Sequence, residues 1–420
     1  MSFVLPLPCR RLGRVAAGIA ALAVCLKYLA YEMFGGSFYA PVLPRSLLLT
    51  QEALYASAVI LFFLLLVKDG LAGLLWLGRR AGFAWRHPFS PQVRIAGLLA
   101  SGCPPAEISL EAGFSPAVKS AGLLAIALSL GCWSTWQAVT VPGIRTVEIS
   151  VPGLPAQLDG FSVVQITDIH IGSLQRGEWL QTLVEKTNAL NPDVVALTGD
   201  LVDGLPDTLG NEVKPLGELR AKHGVYGVTG NHEYYFQVDE WLPVFKKLGI
   251  DMLLNEHRVL SVQGGELVIA GITDPMAPRF GEEGPDVRKA LAGAPDTTSI
   301  LLAHQPRGAA ANTAASIQLS GHTHGGHMVF IQPIIASFNE GFVNGLYNVN
   351  GMKLYVSPGT GLWGGFSSRV GVPSEITRIV LRAESSSRGG HPPRLSHHPA
   401  CVLRTKAVSR GEPQLLPSFC

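Results

Sequence analysis

The pattern of hydrophobic and polar positions changes once along this chain, near residue 146. Before that point lie three apolar blocks, at 15–34 ("VAAGIAALAVCLKYLAYEMF"), 53–78 ("ALYASAVILFFLLLVKDGLAGLLWLG") and 121–141 ("AGLLAIALSLGCWSTWQAVTV"). Each has about the twenty residues a helix needs to cross a bilayer core. The second block is the most continuous. Lys27 and Glu32 interrupt the first, and small and polar residues dilute the third. The pattern predicts an N-terminal membrane region over residues 1–145 with about three transmembrane helices. Any one block alone also reads as a buried helix of a soluble protein. The first reads as a signal-type anchor too, although no clean small-residue cleavage site follows it.

After residue 146 short β-rich runs take over. They are "FSVVQIT" (161–167), "DVVALTGD" (193–200), "VYGVTG" (225–230), "ELVIAGI" (266–272), "SILLAH" (299–304), "IQLSGH" (317–322), "KLYVS" (353–357) and "ITRIVL" (376–381). Between the first two, Trp179, Leu180, Leu183, Val184, Thr187 and Leu190 recur at helical spacing. A polar, helix-compatible stretch at 210–222 follows the second run. Strands alternate with helices early and cluster later. This predicts a layered α/β fold over 146–383, with mixed β-sheets flanked by helices. The segment 384–420, rich in Ser, Pro, Arg and His, reads as a disordered tail whose histidines are solvated.

Composition sharpens the membrane reading. The chain has 420 residues, 47% hydrophobic and only 15% charged, against about a quarter charged in soluble proteins. The net charge of +2 gives no footing for nucleic-acid binding. The six cysteines include no CxxC pair, none lies between 133 and 400, and they say little about redox compartment. Arginines precede the first block (Arg10, Arg11, Arg14), Arg45 alone lies between the first and second, and Arg79, Arg80, Arg86, Arg94 and Lys119 separate the second from the third. Cationic loops stay in the cytoplasm, so with three spans everything after residue 142 is extracytoplasmic. A fourth span in "VRIAGLLASG" would reverse this, but that run is too short.

The candidate chemistry sits where the β runs end. In order come DIH (168–170), GDLVD (199–203), GNHE (230–233), AHQP (303–306) and GHTHG (321–325). Five strand ends thus deliver Asp168, Asp200, Asn231, His304 and His322 to one edge of the fold, where α/β sheets form sites. Singly, each has another reading. Asp168 and Asp200 read as helix N-caps, His304 as a turn residue, and His322 and His324 as loop histidines. Tyr234 and Tyr235 read equally as pocket lining and as packing. His223 and His257 match no motif and read as surface or turn residues.

Together these blocks resemble the calcineurin-like metallophosphoesterase superfamily, whose pattern is DxH, GDxxD, GNH(E/D), a lone His after a strand, and GHxH. The resemblance covers roughly residues 160–382. "VQITDIHIG", "GHTHGG" and "YVSPGTG" are most similar to its membrane-associated branch. The resemblance implies two divalent metal ions, with Asp168, His170, Asp200 and His324 on the first. Asp200 would bridge to the second, completed by Asn231, His304 and His322. Carboxylate, imidazole and amide oxygen without thiolate suit Mn, Fe or Zn. It further implies attack by a metal-bridging hydroxide, His232 as the catalytic non-ligand and Asp203 orienting a ligand. His327 departs from the branch's usual Gln and is a candidate substrate contact. The expected activity is phosphoester hydrolysis, as phosphodiesterase or phosphatase, by an integral membrane protein acting on a lipid-linked or cell-envelope phosphate. The alternatives are a non-catalytic membrane receptor or scaffold that retains the metal site, and a pyrophosphatase of nucleotide-linked acylated sugars.

Overall fold

Val194 and Ala196 turn into one apolar core, while Val195 and Leu197 turn into another. This strand is therefore buried on both faces, which is why its sequence reads as continuously apolar. The computed structural model describes residues 11–80 and 116–384, which form one compact unit. The tail from 385 and most of the loop carrying Arg86 and Arg94 lie outside the described residues.

Among the described residues twelve strands build two six-stranded sheets. In chain order they are β1 (Gly143–Val151), β2 (Ser162–Ile166), β3 (Val194–Thr198), β4 (Val225–Val228), β5 (Ile250–Met252), β6 (Glu256–Val262), β7 (Gly265–Gly271), β8 (Ser299–Leu302), β9 (Ile317–Ser320), β10 (Gly345–Val349), β11 (Met352–Val356) and β12 (Glu375–Ala383). One sheet runs β1-β12-β2-β3-β4-β5 and the other β10-β11-β9-β8-β7-β6. Both are mixed. β2, β3, β4 and β5 are parallel neighbours, β12 is antiparallel to β2, and β7, β8, β9 and β11 are parallel. The sheets face each other across a core that includes Val163, Val228, Ile269, Leu302 and Leu319. This matches the expected layered fold of mixed sheets flanked by helices.

Among the described residues ten helices accompany them: α1 (Arg11–Cys25), α2 (Lys27–Phe34), α3 (Arg45–Arg80), α4 (Pro116–Val139), α5 (Gly177–Asn188), α6 (Pro206–Leu209), α7 (Asn231–Tyr235), α8 (Val238–Lys247), α9 (Val287–Ala290) and α10 (Gln332–Phe338). α5 buries Leu180, Leu183, Val184 and Thr187 as its periodicity predicts. Beside it α8 buries Trp241 and Phe245 against the first sheet. The stretch at 210–222 forms only a short 3-10 turn, Lys214–Glu218. Gly210, Pro215 and Gly217 work against anything longer.

Among the described residues two helices, over Arg45–Gly78 and Ala117–Val139, are long and apolar enough to cross a membrane. They pack closely where Gly131 of α4 meets Ala53 and Ser57 of α3; any side chain at Gly131 would collide with both. The far part of α3 exposes Leu66, Val67, Leu71, Leu74, Leu75, Trp76 and Leu77. Its near part packs on the sheet domain, where Ala56 and Ile60 join Met328. The first apolar block differs from a single span. It breaks at Leu26 into α1 and α2, of 15 and 8 residues. Next to the break, Lys27 is fully buried and lies 2.6 Å from Glu52 of α3. Of the two charges that interrupt the block in sequence, Lys27 thus ties it sideways to α3, while Glu32 accepts from the Phe38 N–H.

Candidate active site

Because β2, β3 and β4 are parallel neighbours in one sheet and β8 and β9 in the other, five strand ends open onto one edge of the sandwich. Asp168 and His170 follow β2, Asp200 and Asp203 follow β3, and Asn231 and His232 follow β4. His304 follows β8, and His322 and His324 follow β9. Asp168, His170, Asp200, His322 and His324 all take positive φ, between 48° and 68°. Left-handed backbone at non-glycine residues is strained, and it concentrates where a fold aims side chains at a common point. The glycines before the motif residues have a specific use. A Cβ on Gly230 would strike the Asp200 carboxylate, and one on Gly321 would strike that of Asp168.

The side chains converge as the motifs predict. Asp168, His170 and His324 offer ligand atoms within 4.8 Å of one another, as do Asp200, His304 and His322. His304 Nε2 lies 3.2 Å from Asp200 Oδ2, and His324 Nε2 lies 3.6 Å from Asp168 Oδ1. Backbone N–H groups hold the carboxylates: His322 donates to both oxygens of Asp168, at 3.0 and 3.1 Å, and His232 donates to Asp200 Oδ1 at 2.9 Å. The carbonyl of Thr198 takes the Nδ1–H of His304 at 2.8 Å, which frees Nε2. Four buried atoms of these residues have no hydrogen-bond partner: His170 Nε2, Asn231 Oδ1, His304 Nε2 and His324 Nδ1. Such atoms are costly unless something binds them. Nitrogen and oxygen donors without thiolate suit a divalent cation open to substrate.

Asp203 Oδ1 lies 2.8 Å from His170 Nδ1 and 2.7 Å from His232 Nδ1. His232 also falls within ligand range of His170 and Asp200, but its Nδ1 is taken by Asp203. Electrostatics follow from burial and from these pairings. Burial prevails at Asp168 and raises its pKa. At Asp200 burial is outweighed by His304 and His232, which hold its pKa well below the usual range. At Asp203 it is outweighed by His170 and His232. Burial disfavours charge on His232, yet Asp200 and Asp203 push its pKa up to about 9. Burial, reinforced by His304, pulls His322 down to about 3. Burial and His327 take His324 well below its ordinary value. Those two histidines are therefore neutral, the form that binds a cation.

Other residues fall as follows. His327 is buried, its ring 5.1 Å from that of His324 and 4.9 Å from Phe366. The two tyrosines after GNHE separate: Tyr234 packs inward with its hydroxyl 3.0 Å from Thr229, whereas the Tyr235 ring lies 5.4 Å from His232. His257 hydrogen-bonds the Ala290 carbonyl, and the His223 carbonyl accepts from Tyr226, as ordinary strand and turn residues do.

Three contributors were not singled out by sequence reasoning. Glu233 accepts from the N–H groups of Asp200, Leu201 and Gly230, at 2.9, 2.6 and 2.6 Å, and so clamps the Asp200 loop to the Asn231 loop. The final letter of GNHE was its only sequence signal. Arg369 is fully buried and donates to the carbonyls of Pro358 and Gly361, at 2.8 and 2.9 Å, and to that of His324 at 3.3 Å. Burial lowers its pKa to about 10. Tyr39, from the loop between α2 and α3, stacks on Tyr235 at 4.6 Å and meets His232 edge-on at 5.4 Å. Neither Arg369 nor Tyr39 lies in a motif.

Comparison with known proteins agrees with this geometry. The calcineurin-like phosphoesterase profile matches residues 161–326. The chain is 39% identical over 273 residues to the transmembrane protein with metallophosphoesterase domain of Danio rerio, covering 62% of each chain. It is 37% identical to the Bos taurus protein of the same name, covering 59% of this chain and 58% of that one. Against an uncharacterized metallophosphoesterase of Campylobacter jejuni it is 34% identical over 62% of this chain and 69% of the other. The match thus spans less than two thirds of the two vertebrate relatives but more than two thirds of the bacterial one. A shared profile over the strand ends, and identity at this level along most of a relative, place the chain in the calcineurin-like phosphoesterase family.

Proposed function

We propose that this protein is a membrane-anchored phosphohydrolase with two divalent metal ions, cleaving phosphoester bonds of a substrate carried by the membrane or the cell envelope. The observation that carries this reading is the convergence of Asp168, His170 and His324 and of Asp200, His304 and His322 at one edge of the sandwich, with His170 Nε2, Asn231 Oδ1 and His304 Nε2 buried and unpartnered there. Asp168, His170, Asp200 and His324 would hold one cation, and Asp200, Asn231, His304 and His322 would hold the other. The pair would supply positive charge to the phosphoryl oxygens and acidify the attacking water. Mn, Fe and Zn all fit the donor set.

The chain's own residues do the rest. A carboxylate oxygen can only accept, so Asp203 fixes the proton of His232 on Nδ1. The second proton of the imidazolium then sits on Nε2, and the Asp203 carboxylate beside the ring favours that charged form. As the bond from phosphorus to the leaving oxygen breaks, that Nε2 proton passes to the leaving alkoxide. Asp203 steadies His170 through the same oxygen. His327, with Nδ1 unpartnered, is the candidate contact to substrate.

Two long apolar helices support anchoring. The packing of α3 on Met328 and Phe330 keeps the site near the bilayer, favouring lipid-linked substrates. The distribution of Lys and Arg favours an extracytoplasmic domain. A reporter fused after residue 150 tests this, and a cytoplasmic signal would reverse the orientation.

The activity is tested with the detergent-solubilised protein stripped of metal and reloaded with Mn, on bis-p-nitrophenyl phosphate and p-nitrophenyl phosphate. Metal-dependent diester cleavage, abolished by Asp200→Asn, is expected. Cleavage of the monoester alone would indicate a phosphatase. Cleavage of only a nucleotide-linked pyrophosphate would indicate a pyrophosphatase. Two bound metals with no hydrolysis of any of these would leave the scaffold reading.

A further inference from the structure

We propose that the loop between α2 and α3 completes the active site, where Tyr39, Tyr235 and Trp363 form a subsite for an apolar substituent on the leaving oxygen. The inference rests on the phosphohydrolase reading and extends it to substrate class.

His232 is only 4% exposed, so the rings around it decide what reaches its Nε2. Tyr39 meets it edge-on at 5.4 Å, Tyr235 lies at 5.4 Å, and Trp363 lies at 6.3 Å. All three residues are only partly buried. Tyr39 and Tyr235 stack at 4.6 Å, and Trp363 leans on Tyr39 at 5.9 Å, so the rings form a continuous wall. A group whose oxygen takes the proton of His232 must leave along that wall. Aromatic faces reward an apolar substituent there and offer a charged one little.

The loop that brings Tyr39 is fixed to the catalytic half. Ser173 donates to the Pro41 carbonyl at 2.6 Å, and Arg45 Nε donates to the Leu174 carbonyl at 3.1 Å. Both partners lie just beyond His170 in the chain. Within the loop, Val42 N–H closes onto the Gly35 carbonyl at 2.6 Å and Phe38 N–H onto Glu32 at 2.8 Å. Phe38 packs between Tyr28 of α2, at 4.4 Å, and Trp363, at 5.0 Å. The membrane region therefore shapes the site as well as anchoring it.

Binding separates this proposal from the one it rests on. Methyl-, phenyl- and hexylphosphonate are titrated calorimetrically into the metal-loaded, detergent-solubilised protein. Methylphosphonate probes the phosphoryl site alone, phenylphosphonate a ring, and hexylphosphonate a lipid-like chain. Phenyl- or hexylphosphonate is expected to bind about tenfold more tightly than methylphosphonate, and the better of the two names the source of the substituent. In Tyr39→Ala that advantage is expected to vanish while methylphosphonate affinity stays within about twofold; Tyr39→Phe keeps the ring and should keep the advantage. Equal binding of all three by the wild type would overturn the subsite. So would an advantage that survives Tyr39→Ala, or a loss of methylphosphonate binding in that variant, which would make Tyr39 a structural residue. No methylphosphonate binding by the wild type would remove the phosphohydrolase reading, and the subsite with it.

Discussion

Asp203 holds His232 through one oxygen: Oδ1 lies 2.7 Å from His232 Nδ1, and the same atom lies 2.8 Å from His170 Nδ1. One carboxylate thus sets the orientation and tautomer of a candidate metal ligand and of the candidate acid. Asp203→Asn keeps the shape and the shared oxygen but removes the negative charge that both imidazoles face. Outer partners of this kind are worth about 10–100-fold in metal affinity or activity. Turnover and metal content should both fall in Asp203→Asn; an unchanged variant would show that the two imidazoles are held by something else.

His232→Ala should separate catalysis from metal binding. Loss of a positioned acid lowers turnover by about 10²–10⁴-fold, with metal content still near two ions per chain by elemental analysis. A parallel loss of metal would make His232 a ligand, which its proximity to His170 and Asp200 permits.

The metal-free protein should also report on His232 through pH. Its folded pKa, about 9, lies above the unfolded value of 6.5. The stabilisation is therefore complete below pH 6.5 and lost as pH rises towards 9. The shift corresponds to roughly 3 kcal/mol. In chelator, the melting temperature should fall over that window, and less steeply in His232→Ala. His304, raised well above its ordinary value by Asp200, contributes in the same direction, so part of the slope should survive. Equal slopes in the two proteins would count against the assignment.

Glu233 should matter to the Asp200 loop as much as to folding. It takes three backbone N–H groups, and each buried donor left unpaired costs about 1–3 kcal/mol. Glu233→Ala should lower the denaturation midpoint and weaken metal binding together. A stability loss with unchanged metal affinity would limit Glu233 to a structural part.

Glu52→Ala should destabilise through Lys27. Glu52 accepts from Lys27 Nζ at 2.6 Å, from Tyr31 at 2.9 Å and from the Ser367 N–H at 2.9 Å. Removing one partner of a buried pair costs about 3–5 kcal/mol. Thermal unfolding in detergent should show the loss, and adding Lys27→Met should recover part of it. No recovery would mean that the contacts to Tyr31 and Ser367 dominate.

What the sequence determined by itself is the part written in local patterns. Apolar runs marked eight of the strands, the 3.6-residue period marked α5, and short motifs marked the residues that gather at the site. These features were legible because strand ends in parallel neighbours lie side by side, so a ligand set spread over 157 residues from Asp168 to His324 is repeated as a motif at each strand end. Only the tertiary structure decided which second residues act on those ligands. Glu233 clamps Asp200 from α7, Arg369 gathers carbonyls from the loop at 358–361, and Lys27 meets Glu52 across two helices. Tyr39 reaches His232 from 193 positions away in the chain. Such contacts depend on where separate elements dock, and docking is set by summed packing and charge across the whole fold. No residue's neighbours in sequence carry that information.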